Sequence, residues 1–459
     1  MKTIIKTMAV ATAVASVSLC AGAQNTNSGY FLDNYTYRYQ LNPAFGNDSK
    51  FVSIPALGGL NFAMRGNLHV SDIFRVVNGR TVLFTNPEVP ASVLGDFQDN
   101  NRIGADIKVN LLSGGFKAWG GYNTVSINAR ADVHAGIPYS LFDLAKNGVS
   151  NTTYDIRDVN VEANGYAELA FNHSRDIPQV PGLRAGAAVK FLIGLASFKT
   201  DLRRADITLG EDAWTGTTDG DIYANIGGFQ YETKLNDSGN PYVSGMNMDG
   251  DGSVGPNGFG MSFDLGATYS WRDFNFSFAM LDMGWVSYFK TKKATTGARA
   301  RSICTDDYIF NADDDASNSF EQEWDRLSDD LAQLYELSDA GDAGTRNVAL
   351  GATMNIGVDY TLPYYRRLHF GLLSSSRFVK GFTWSEVRIS ANVNPVDCFS
   401  ADANVAFGTF GTSFGWLLNF YHKGFNIFLG MDHTLGKLSK EGVPLSSNAS
   451  VNFGINVPF

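Results

Sequence analysis

The chain is short of charge. Only 18% of its residues are Asp, Glu, Lys or Arg, against roughly 25% in an ordinary soluble domain. What charge there is leans acidic, with 36 Lys and Arg facing 46 Asp and Glu, so there is no basic footprint for nucleic acid. Cysteine is nearly missing, at 3 in 459 residues, which excludes a disulfide scaffold. Past the N-terminal segment no apolar run reaches the ~18–20 residues of a membrane-spanning helix. The nearest, Ala185 to Phe198, is broken by Lys190. Sustained heptads are lacking, which excludes a coiled coil. Plentiful instead are aromatic residues (13%) and glycine (48 residues), and aromatic richness excludes a disordered chain.

The first residues read as an export signal. Lys2 and Lys6 form a positive n-region, Met8 through Leu19 an apolar core, and Ala21-Gly22-Ala23 a cleavage site. The rival reading, a lipoprotein anchored at Cys20, puts Leu19 where a small residue belongs. The expected organisation is a signal peptide over 1–23, an N-terminal segment over 24–50 and a barrel over 51–459.

The dominant signal after that is alternation, the mark of strands with two chemically different faces. Val451, Phe453, Ile455, Val457 and Phe459 are apolar, and Asn452, Gly454 and Asn456 lie between them. Leu60, Phe62, Met64, Leu68 and Val70 alternate with Asn61, Arg65, Asn67, His69 and Ser71. About 14 such runs occur, most of roughly 8–13 residues, long for a sandwich strand and right for a tilted transmembrane strand. Long and short connections alternate over the first two-thirds of the chain, as in outer-membrane barrels. The longest connections, about 200–258 and 284–346, are expected outside the cell. The reading is all-β: an antiparallel transmembrane β-barrel of about 14 strands. A weak stretch, Asp221–Leu235, offers a further hairpin and a count of 16. Phe459 within the last strand is similar to the signal read by barrel-assembly machinery, the partner expected during biogenesis.

Strand spacing and tilt give such a barrel a radius of roughly 13–14 Å, too wide for side chains to close. The segment 24–50 carries aromatic surface, Tyr35 and Tyr37 included, and a turn at Asn42-Pro43. It is expected to fold into the lumen as a hatch, the alternative being a tail outside the barrel. By alternation the lumen wall carries Arg65, His69, Arg102, Asp106, Lys108, Arg130, Asp132, Asp158, Glu162, Glu168, Arg184, Lys190, Asp264, Asp359, Glu386, Arg388 and Asp402. Both signs are interspersed, unlike the single-sign rings of a selective ion channel. These charges either solvate a wet interior and tie down the plug, or line a polar path.

Ordered landmarks add a resemblance. Tyr39-Gln40-Leu41-Asn42-Pro43-Ala44-Phe45, Phe116-Lys117-Ala118-Trp119-Gly120-Gly121, Gly258-Phe259 through Asp264-Leu265-Gly266-Ala267, and Leu281-Asp282-Met283-Gly284-Trp285 follow one another along the chain. Together they resemble a Bacteroidota family of outer-membrane β-barrels of unknown function, itself distantly similar to fatty-acid-transporter-type barrels and to a barrel of a secretion apparatus. The resemblance covers nearly the whole mature chain. It implies a barrel fold and an outer-membrane location, and supplies no catalytic residues.

Candidate chemistry is thin. His69 and Ser71 share a strand face, but on the lumen side, away from lipid substrates. Asp432 and His433 are adjacent, which in a strand sends them to opposite faces. No G-x-S-x-G, H-E-x-x-H or P-loop pattern appears. Asn247, Asp249 and Asp251 before Gly252 match the first half of a calcium loop, but Gly258 stands where the bidentate Glu belongs. A Gly/Asp turn is the simpler reading, and no metal or cofactor is expected. One helix is expected in the longest connection, with Phe320, Trp324, Leu327, Leu331, Leu334 and Tyr335 at helical spacing. A shorter one is expected around Tyr139–Lys146. Cys304 and Cys398 are expected at opposite ends as thiols.

The expected function is not enzymatic. It is gated transport of a small apolar or amphipathic molecule across the outer membrane. The alternative is a scaffold surrounded by outer-membrane lipid that docks a protein partner through acidic external loops.

Overall fold

The computed structural model describes residues 26–147, 152–210, 213–235, 239, 241–248, 255–304, 336–434 and 448–459. Fourteen strands run around one closed antiparallel barrel. They are β1 (Phe51–Ser53, resuming as Gly59–Gly66), β2 (Asn100–Ala118), β3 (Gly121–Pro138), β4 (Asn160–Asp176), β5 (Leu183–Leu209), β6 (Gly258–Trp271) and β7 (Phe274–Tyr288). They continue as β8 (Arg346–Ala349, resuming as Ala352–Thr361), β9 (Leu368–Phe378), β10 (Trp384–Val396), β11 (Phe399–Gly408), β12 (Gly411–His422), β13 (Phe425–Met431) and β14 (Ala449–Pro458). Each strand pairs with its neighbours in sequence. The ring closes where β14 meets β1, with Phe51 opposite Pro458 and Leu60 opposite Phe453. Closure leaves no sheet edge, which is what lets strands stand in lipid.

Alternation explains which face is which. Ile127, Phe171, Phe191, Phe278, Ile389, Phe407, Phe414 and Leu418 are exposed on the outside. Asn128, Asn172, Lys190, Ser277, Arg388, Asn404 and Asn419 are buried inside. The barrel is thus the inverse of a soluble domain, with an apolar outer band and a polar interior. Both chain ends of the barrel, and the tight turns at Trp119-Gly120, Arg272-Asp273 and Lys423-Gly424, lie at one end, here the turn end. The long connections lie at the other, the loop end.

Three sequence expectations change. First, Asp221–Leu235 adds no strands to the barrel. The far half of β5 runs on past the ring and pairs with Ala213–Ile226, which pairs in turn with Lys292–Thr295 and Arg299–Cys304. Phe229–Leu235 forms a separate hairpin with Pro241–Met248. These segments pack their own apolar cluster of Ala224, Phe229, Tyr231 and Ala294. Second, the long connections begin later than expected, because β5 reaches Leu209 and β7 reaches Tyr288, and they carry sheet. Third, His69 is not on the lumen wall. The first strand stops at Gly66, and the His69 backbone N–H donates to Asp72 Oδ2 at 2.8 Å, opening the one-turn helix Val70–Ile73. Leu68 is drawn instead into a loop-end core with Phe84, Phe97 and Phe142.

A helix does span Tyr139–Asn147, with Phe142 stacked on Phe97 at 4.0 Å. Cys304 and Cys398 are unbridged and sit at opposite ends. The helix expected over 320–335 lies outside the described residues.

Candidate functional site: the lumen and the segment that fills it

Residues 26–50 lie inside the barrel. Their apolar side chains Tyr30, Phe31, Leu32, Tyr35, Tyr37, Tyr39, Leu41 and Phe45 form one buried cluster with Phe51, Leu373, Leu417 and Phe428 of the wall. A polar wall can hold an aromatic segment only by satisfying its polar groups, and asparagines do most of this. Asn452 donates to the Tyr35 hydroxyl at 2.9 Å, Asn404 to Ser28 Oγ at 3.0 Å, Asn355 to the Leu41 carbonyl at 3.0 Å, and Asn172 to the Pro43 carbonyl at 3.3 Å. Thr36 donates to Asn426 Oδ1 at 3.0 Å, and Tyr122 to the Ser49 carbonyl at 2.9 Å. The segment lies within the ring and is not one of its strands. Burial pushes the Tyr39 phenol up to about 12 and raises those of Tyr35 and Tyr37 as well.

The turn Asn42-Pro43 is held on every side. Asn42 is fully buried. Its Oδ1 accepts the Ala44 N–H at 2.9 Å, and its Nδ2 donates to the Phe278 carbonyl at 3.1 Å and the Ala267 carbonyl at 3.4 Å. Pro43 sits in a notch cut by two glycines. A Cβ on Gly266 would lie 2.0 Å from Asn42 Oδ1, and one on Gly186 would lie 2.1 Å from the Pro43 carbonyl oxygen. Phe31 uses a second notch, where a Cβ on Gly371 would lie 2.2 Å from its ring. The landmarks at 39–45 and 258–267 are therefore two halves of one docking contact.

Behind the segment the wall carries a compact ion network. Asp282 receives Arg130 through two hydrogen bonds of 2.9 Å and Lys190 at 2.6 Å. Lys190 also reaches Asp264 at 2.6 Å, and Arg130 reaches Glu168 at 3.0 Å. Lys108 lines the same small cavity of about 30 Å³. Asp282 faces inward because of a bulge. Leu281 and Asp282 together oppose Asp264, and Asp282 takes a left-handed φ of 58°.

The loop end is closed by a second network. Arg388 pairs with Glu386 at 2.9 Å, and Arg377 with Asp106 at 3.3 Å. Arg65 lies 3.8 Å from Asp432 and stacks over Trp384 at 4.6 Å. Asp432 holds the tip of the inner segment, accepting the backbone N–H groups of Asn27 at 2.8 Å and Ser28 at 2.6 Å. Phe382 packs against His134 and Phe410. Among the described residues, two cavities there measure about 30 and 10 Å³, room for isolated waters. At the turn end, by contrast, a cavity of about 770 Å³ lies between the segment and the wall.

Of the other expected wall residues, Glu162 pairs with Lys199 at 3.2 Å, and Asp132 accepts from Asn164 at 3.2 Å. Arg102 is at the loop end, donating to the Thr383 carbonyl at 3.3 Å. Arg184 is at the turn end, where its Nε donates to the Ala44 carbonyl at 2.7 Å. Asp359 and Asp402 are buried inside. Asp158 has no wall position, since β4 starts at Asn160. Sequence reasoning did not place Arg377, Asp282 or Asp432 in the lumen. Arg377 continues the alternation of β9 and was readable; the other two were not, because a bulge moves Asp282 and Asp432 follows the end of β13. Asp432 and His433 are both buried, so the expected split to opposite faces fails for the same reason. Asn247 is in the outlying hairpin opposite Gln230, and Asp249 and Asp251 lie outside the described residues.

Fold and site together define a membrane β-barrel with its lumen occupied by its own N-terminal segment. Residues 43–432 match a family of unknown function, DUF5723, and the chain belongs to that family. No curated protein matches the sequence. Among solved structures, the chain is similar to the Ralstonia pickettii toluene transporter TbuX, at 9% identity and a TM-score of 0.41 over 96% of this chain and 97% of that one. It is also similar to the Pseudomonas putida toluene transporter TodX, at 9% identity and a TM-score of 0.39 over 95% of each chain. A Pseudomonas aeruginosa FadL homologue follows at 10% identity and a TM-score of 0.36, over 96% and 99%.

Proposed function

We propose that the protein is an outer-membrane channel for a small amphipathic molecule, gated by withdrawal of residues 26–50 toward the turn end, which faces the periplasm. The apolar outer band supports the membrane setting. The observation that carries the gating is the chemistry of the wall behind the segment. Asn61, Asn355, Asn404, Asn426 and Asn452 are buried and hydrogen-bonded to it, and each can take water in its place. An apolar wall would leave the segment's carbonyls and hydroxyls without partners when closed and would not hold water when open; this wall serves both states. The fourteen-strand ladder contains none of residues 26–50, so withdrawal breaks no strand pairing.

Withdrawal is uphill. Eight apolar side chains of the segment leave their cluster, at roughly 1.5–3 kcal/mol each for full exposure. The closed state therefore dominates, and opening draws on a ligand or partner that binds the released segment. The test is flux of small amphipathic solutes in proteoliposomes. Ser28→Cys with Asn404→Cys, in a chain carrying Cys304→Ser and Cys398→Ser, places a reducible crosslink between segment and wall. Oxidation should abolish flux and reduction restore it; equal flux in both states counts against gating by this segment.

A second reading, a scaffold for a protein partner, is favoured by the loop end. The hairpin of Phe74–Val77 and Arg80–Leu83 leaves Phe74, Val76 and Leu83 exposed. That reading leads if a chain without the segment remains impermeable.

A further inference from the structure

The turn-end cavity of about 770 Å³ falls within the ~300–1,000 Å³ typical of small-molecule sites. Phe31, Phe45 and Tyr122 give it aromatic surface. Its charges are unequally satisfied. Arg38 pairs with Asp33 and stacks over Phe45 at 4.1 Å. Arg184 donates to the Ala44 carbonyl at 2.7 Å and to Ser174 Oγ at 2.9 Å, and lies 3.4 Å from Asp176. Both guanidiniums are thus engaged, and Lys117 is at the exposed rim. Asp359, on the inner wall, is different. It is 7% exposed. Its Oδ2 is 3.2 Å from His369 Nδ1 and 3.5 Å from Asn275 Nδ2, while its Oδ1 has no hydrogen-bond partner among the described residues. A buried carboxylate oxygen without a donor is costly and calls for one.

We propose that this cavity binds an amphipathic organic cation, with the apolar body against Phe31 and Phe45 and an ammonium or guanidinium group donating to the Asp359 carboxylate. The lining carries four carboxylates, Asp33, Asp48, Asp176 and Asp359, against three cations, Arg38, Lys117 and Arg184, so an anion of the same shape is disfavoured. A bare metal ion is disfavoured too, since no group of three metal-ligating side chains forms among the described residues. This names the solute class for the proposed channel and rests on that reading. Binding to the closed barrel needs no opening, however, so the two fail separately.

The test is calorimetric titration of the intact, folded chain with three matched probes: 3-phenylpropylammonium, 3-phenylpropanol and 3-phenylpropionate. The cation should bind at least about tenfold more tightly than the other two, the scale of one charge-assisted hydrogen bond. Asp359→Asn should remove that preference while leaving heat-modifiable migration of the barrel unchanged. Asp33→Asn, at the rim and already paired with Arg38, should reduce it less. Equal binding of all three probes, tighter binding of the propionate, or a cation preference that survives Asp359→Asn each overturns the proposal. If Asp359→Asn does not fold, the comparison of probes on the unmodified chain decides alone.

Discussion

The residues that matter most here are the ones whose neighbours leave them no room or no choice. Gly266 is the clearest. A methyl group there would meet Asn42 Oδ1 at 2.0 Å and the Pro43 ring at 2.8 Å. Gly266→Ala should leave the barrel folded and dislodge the 42–43 turn, at an overpacking cost of about 1–3 kcal/mol. Limited proteolysis reads this as new cutting within 26–50; an unchanged digest would show the notch to be compliant. Asp282 is constrained electrostatically. Asp282→Asn leaves Arg130 and Lys190 each short of a charge partner, and breaking a buried pair costs about 3–5 kcal/mol. The unfolding midpoint in denaturant should fall clearly, and a shift within error would mean that Glu168 and Asp264 carry the pairing. The plug tyrosines give a pH dependence. The Tyr39 phenol has its ordinary value of 10.0 when released and about 12 when docked, because burial disfavours the phenolate. The contribution of Tyr39 to docking is therefore complete below pH 10 and is lost as pH rises through 12. Tyrosinate absorbance in that window should rise together with protease access to the segment.

At the scale of elements, period-two alternation made the barrel legible because each strand stands between two solvents. Lipid selects Phe171 and Ile389 on one face, and the polar lumen selects Asn172 and Arg388 on the other. The same rule explains what could not be read. It has no meaning past a strand end, and so His69 was placed on a wall that stops at Gly66. It slips by one at a bulge, which hid Asp282. It is also blind to which alternating segment joins which sheet, so Asp221–Leu235 read as a barrel hairpin although its partners are β5 beyond the ring, Lys292–Thr295 and Pro241–Met248. The contact of Asn42-Pro43 with Gly186 and Gly266 was unreadable for another reason: nothing local in a strand glycine says what approaches it. The loop-end sheet yields its own prediction. Gly258 already pairs with Gly194, so replacing residues 203–254 with a short turn should preserve the ring. Heat-modifiable migration should survive; its loss would mean that the outlying sheet is needed to close the barrel.

At the scale of the molecule, and among the described residues, the barrel is closed at the loop end, filled along its middle and open at the turn end. The loop-end seal is made of wall and inner segment together, since Asp432 binds Arg65 and the backbone of Asn27 and Ser28 at once. Removing the segment thus removes both the filling and part of the seal. The most direct measurement is single-channel conductance in a planar bilayer, comparing a chain that starts at residue 24 with one that starts at residue 51, both checked for folding by heat-modifiable migration. The account predicts silence from the first and large, stable steps from the second. Steady conductance from the longer chain, or silence from both, would contradict it.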